Sequence, residues 1–77
     1  MSRYEASVLL IRTGRVVGSR SFDDPQTAAD HLFVLMAAAG FSGDREETVS
    51  TLADGDPLSY KGFEYRVTDT ARHTQRG

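Results

Sequence analysis

The chain has 77 residues, 39% of them apolar, and a formal net charge of −2. That length holds a single domain, read as residues 1–68 with a loose polar tail over 69–77. Such a domain buries only about 60% of its unfolded surface, and without cysteine neither disulfides nor thiolate metal sites supplement its core.

No apolar run reaches the roughly 18 residues of a membrane span, the longest being Leu32 to Gly40. The opening Met1-Ser2-Arg3-Tyr4-Glu5 lacks the order of a signal peptide. The expectation is a cytoplasmic protein with no membrane partner. Charge comes in blocks. Residues 1–22 carry +3, 23–43 carry −3, 44–56 carry −4 and 57–77 carry +2. Alternating blocks predict surfaces of opposite sign.

Residues 3–12 and 15–22 read as two strands of a hairpin turning at Gly14. A two-residue loop at Thr13-Gly14 would mix apolar and polar side chains on both faces. A three-residue loop with Gly14 in the left-handed region separates them better. It pairs Leu10 with Val16, Val8 with Gly18 and Tyr4 with Phe22. One face then collects Tyr4, Ala6, Val8, Leu10, Val16 and Phe22, while Leu9, Ile11 and Val17 are left together on the polar face.

Asp24-Pro25 opens a helix: Asp accepts from first-turn N–H groups, and Pro at the first position has no N–H to lose. The helix runs to about Ala39, with Ala29, Leu32, Phe33, Met36 and Ala39 on one stripe, widened by Ala28 and Leu35. Gly40 stops it, and Phe41 can fold back on Met36.

Residues 45–53 allow two readings. Asp44 and Glu47 could form the capping box of a short helix. Thr48-Val49-Ser50-Thr51-Leu52 suits a strand, which is preferred because Asp54-Gly55-Asp56-Pro57 then turns the chain back. A last strand covers 59–68, with Gly62 as a bulge or tight turn. The predicted fold class is α+β: a small antiparallel sheet, β-β-α-β-β, with one helix packed on one face.

The sequence carries no catalytic constellation, and no enzyme activity or cofactor is expected. His31 and His73 have no cysteine to join them, and Asp54 and Asp56 lack the other ligands of a calcium loop. The serines have no Gly-flanked elbow. The helix start carries Asp23 and Asp24, which repel phosphate.

Two interaction readings remain. Arg12, Arg15 and Arg20 make the first hairpin basic, so nucleic acid is a candidate partner, against an overall pI near 5.5. Leu9, Ile11 and Val17 form an apolar cluster that a single helix does not cover, which favours protein contact, with a homodimer through stacked sheet faces as the economical form. The outline, size and acidity resemble small phage or mobile-element proteins that inhibit host defence by binding a host complex, some anti-CRISPR proteins among them. That resemblance is architectural and carries no motif or residue. The reading preferred from sequence is a non-enzymatic protein-interaction module, with a nucleic-acid-associated protein as the alternative.

Overall fold

A computed structural model describes residues 3–70. The element order is β1 (Tyr4–Leu10), β2 (Arg15–Phe22), α1 (Pro25–Ala38), α2 (Arg45–Ala53), β3 (Leu58–Tyr60) and β4 (Phe63–Asp69). The four strands form one antiparallel sheet in the order β2-β1-β4-β3. The α+β class holds. The expected β-β-α-β-β order does not, because a second helix replaces the strand expected at 48–52.

The first hairpin keeps its expected register over five of seven pairs. Tyr4 pairs with Phe22 and Val8 with Gly18, but a bulge follows between Val8 and Leu9. Beyond it Leu9 pairs with Val16 and Leu10 with Arg15. Residue 17 is the extra one, so the turn spans Ile11 to Gly14 and not three residues. Gly14, at φ 72°, donates to Leu10 O at 2.8 Å.

α1 begins as its sequence dictates. The Asp24 carboxylate accepts from Thr27 N–H at 2.9 Å, with Pro25 at the first helical position. It ends in a Schellman motif: Phe41 N–H donates to Met36 O and Gly40 N–H to Ala37 O, each at 3.0 Å. Gly40 sits at φ 108°, a conformation that side chains with a Cβ disfavour. The Phe41 ring then meets the rings of Phe33 and Tyr60 edge to face, at 6.3 and 5.2 Å between centroids. Leu35, expected in the core stripe, is 40% exposed, and Ala39 is exposed as well.

α2 uses the same grammar. Asp44 accepts from Glu47 N–H at 2.8 Å, and Glu46 and Glu47 place negative charge in the first turn. Gly55 N–H donates to Leu52 O at 3.0 Å and Asp56 N–H to Thr51 O at 3.2 Å, with Gly55 at φ 94°. The run Asp54-Gly55-Asp56-Pro57 is therefore a helix stop followed by proline, not a hairpin turn. The second hairpin lies wholly within 58–69. Lys61 and Gly62 both take positive φ, 51° and 85°, as a two-residue hairpin loop requires.

Both helices pack on the same face of the sheet. Ala28, Ala29, Leu32 and Met36 of α1 and Val49 and Leu52 of α2 meet Ala6, Tyr65 and Val67 from the central strands. Arg45 ties the helices on the surface, its Nε donating to Asp30 Oδ1 at 3.0 Å. Asp69 still belongs to β4, and Thr70 donates to Arg3 O at 2.8 Å through N–H and 2.9 Å through its hydroxyl. The expected tail therefore does not start at 69. Its remainder, 71–77 with His73, lies outside the described residues.

Candidate functional site

In an antiparallel pair, side chains directly opposite share a face. The register therefore sorts the sheet. Tyr4, Ala6, Val8 and Leu10, with Phe63, Tyr65 and Val67, point to the helices. Glu5, Ser7 and Leu9, with Glu64, Arg66 and Thr68, form the outer face, to which β2 adds Val16, Ser19 and Ser21. With both helices on the other side, no described element covers this face.

The predicted contact residues gather at one corner of it. Leu9 is half-buried on the outer face, Ile11 opens the turn at 49% exposure, and Val17 is the bulged residue at 53%. The bulge changes the membership of the cluster. Val16, expected on the helix side beside Leu10, stands opposite Leu9 and is 54% exposed. The four apolar residues thus occupy one end of the first hairpin, bordered by the Glu64–Arg66 ion pair (3.6 Å) of β4.

Two of the three arginines lie on the other side of the sheet from that corner. Arg15 pairs with Leu10 and Arg20 with Ala6, so both belong to the helix side of the sheet margin. The Arg20 guanidinium lies 5.7 Å from the centroid of the Phe22 ring. Arg12 is exposed in the turn. From Ala6 to Phe22 the hairpin contains no acidic residue. Arg15 and Arg20 therefore belong to a different surface from the apolar cluster, and Arg12 shares the turn with Ile11.

Two further features escape the sequence pattern. Val34 and Leu35 of α1 are 56% and 40% exposed and form a second apolar spot away from the sheet. An open groove of ≈ 630 Å³ runs between the helix starts, lined by Gln26, Thr27, Asp30, Asp44, Arg45, Glu46 and Val49. Two of its three carboxylates are already engaged, Asp44 as a helix cap and Asp30 with Arg45. Among the described residues, no three His, Cys, Asp or Glu side chains gather as metal ligands. No helix among them is long and apolar enough to cross a membrane.

Among the described residues, the one titratable group whose environment moves it clearly is structural. Burial of Tyr65, and to a lesser degree Tyr60 beside it, pushes the Tyr65 phenol above its usual value. Its ring is in the core, packed with residues of both helices. Comparison of the chain with protein-family models, curated proteins and solved structures finds no match.

Proposed function

We propose that the domain is a non-enzymatic interaction module that binds another protein through Leu9, Ile11, Val16 and Val17. The observation that carries this reading is the apolar corner on a sheet face that neither helix covers. Water at such a cluster is released on contact, at about 25 cal/mol per Å² of apolar surface buried. The surrounding polar face of Glu5, Ser7, Ser19, Glu64 and Arg66 confines the contact to this corner. A phage or mobile-element inhibitor of host defence is one kind of protein that works this way. The β-β-α-β-β outline that suggested it has given way to β-β-α-α-β-β, so the proposal rests on the surface alone.

The test is affinity capture from the native cell with wild type beside Leu9→Asp/Val17→Asp, after both are shown to unfold cooperatively. A partner retained by wild type and lost by the variant supports the reading. Equal capture by both, or none by either, refutes it.

A second reading is supported by the acid-free run from Ala6 to Phe22, which makes the hairpin locally basic. Nucleic acid would bind there through Arg12, Arg15 and Arg20, with affinity falling steeply as salt rises. Arg12→Ala/Arg15→Ala would flatten that slope. The position of Arg20 against Phe22 and the acidic residues Asp23 and Asp24 just beyond count against this reading.

A further inference from the structure

We infer that the outer edge of β2 is a self-pairing edge, on which β2 of a second copy docks antiparallel to make one eight-stranded sheet. This surface is the backbone margin of β2, whereas the apolar corner is a side-chain surface on the face beside it; the two share Val16 and Val17. β2 is an end strand of the sheet, eight residues long and exposed almost throughout. The opposite end strand, β3, has three residues and follows Pro57, so that edge is blunted in the usual ways.

The backbone pattern shows which groups the β2 edge offers. In an antiparallel ladder, alternate residues turn N–H and C=O to the same neighbour. Ile11 N–H donates to Gly62 O at 3.0 Å and Thr70 N–H to Arg3 O at 2.8 Å, so the odd residues of β1 face β4. The even residues Tyr4, Ala6 and Val8 face β2, and their partners Phe22, Arg20 and Gly18 turn inward. Ser19 and Ser21 therefore turn their N–H and C=O groups to the open edge. The bulge at Val17 breaks only the turn end of this strand, leaving Gly18 to Phe22 regular.

Charge selects the occupant. Arg12 and Arg15 lie at one end of the strand and Asp23 and Asp24 directly beyond the other. Two such strands running antiparallel place the basic end of each beside the acidic end of the other. Centring the two-fold axis on Ser19 sets Arg20 of one copy across from Gly18 of the other, where there is no side chain. That centring also brings the end of β2 that holds Arg15 alongside the end of its mate that leads into Asp23 and Asp24. Centring on Arg20 instead would oppose two like charges, which is destabilising. Stacking the outer faces, the other way to form a dimer, would desolvate Glu5, Glu64 and Arg66 in both copies.

The experiment measures mass by sedimentation across protein concentration at low and high salt, with amide hydrogen exchange on the same samples. The expected result is a dimer that dissociates on dilution and weakens with salt. Ser19 and Ser21 amides should gain protection as concentration rises, while the inward Gly18, Arg20 and Phe22 amides are protected throughout. Ser19→Pro removes an outward N–H without touching the β1 ladder and should give a folded monomer, shown by unchanged far-UV circular dichroism. Arg15→Glu and Asp23→Arg should each weaken the dimer, and an equimolar mixture of the two should restore it. A monomer at every concentration overturns the inference. So does a dimer whose Ser19 and Ser21 amides exchange as they do in the monomer. Partner capture by the apolar corner should survive Ser19→Pro, so failure of either proposal is seen separately from the other.

Discussion

Leu52→Ala tests the element that the amino-acid pattern hides. Leu52 is fully buried and is the largest side chain that α2 contributes to the core. A nine-residue helix does not persist alone in water, where about 12–15 residues are needed even for good helix formers. α2 therefore exists because Thr48, Val49 and Leu52 dock on α1 and β4. Removing the Leu52 side chain takes away its transfer free energy, leaves a cavity and loosens the helix that carried it. The expected cost is about 3–5 kcal/mol, the upper part of the range for Leu→Ala. A domain of this length has roughly 4–11 kcal/mol in all. The variant should thus lie near the edge of folding, with its thermal midpoint lower by roughly 12 °C or more. Urea unfolding followed by circular dichroism measures this directly, with Leu35→Ala as the control. Leu35 is 40% exposed on α1 and should cost about 1 kcal/mol or less. A Leu52→Ala variant no less stable than Leu35→Ala would refute the placement of α2.

Ser50→Ala separates helix from strand by its sign. At this exposed position of α2, alanine should stabilise by about 0.5 kcal/mol, whereas in a strand it would destabilise. Asp24→Ala and Asp44→Ala should each cost about 1 kcal/mol, because each carboxylate accepts a first-turn N–H; thermal melts give the values. The raised phenol of Tyr65 sets the alkaline behaviour. The unfolded chain ionises first, so this stability is complete below about pH 10 and is lost as pH rises through the folded value. Tyr65→Phe should make the decline above about pH 10 shallower, read from urea midpoints at each pH.

The legible parts of the fold are those with a signal at both ends. α1 has Asp24-Pro25 before it and Gly40-Phe41 after it, and those residues make the cap and the Schellman motif. α2 has the same two devices in Asp44 and Gly55, but its middle is β-branched and its buried positions are only Thr48, Val49 and Leu52. Too few apolar positions remain to mark a helical period, and Gly55 followed by Pro57 fits a hairpin turn as well as a helix stop. The bulge at Val17 was illegible for a related reason. Val16 and Val17 are both apolar, so a one-residue shift leaves the local pattern unchanged. That shift carried Val16 from the expected helix side to the apolar corner. The gathering of Leu9 and Ile11 there followed from alternation along β1 alone. The open edge of β2 could not be read at all, since it depends on β1 choosing β4 as its other neighbour.

That choice of neighbour has a consequence for how the chain reaches its native state. The two middle strands of the sheet are the first and the last in sequence, with residues 4 and 69 paired at one end and 10 and 63 at the other. Closing a loop of about fifty residues costs about 1.4 kcal/mol more than closing one of about ten. Each hairpin can flicker into existence by itself, but a lone two-stranded ribbon is marginal in water. During synthesis, then, the nascent chain gains little from its early segments. Residues 4–22 wait as a transient ribbon, with Ala6 and Val8 exposed, until the segment 63–69 leaves the ribosome and the sheet is joined down its centre. Any truncation that removes the last strand should abolish folding of everything before it, rather than trim one edge.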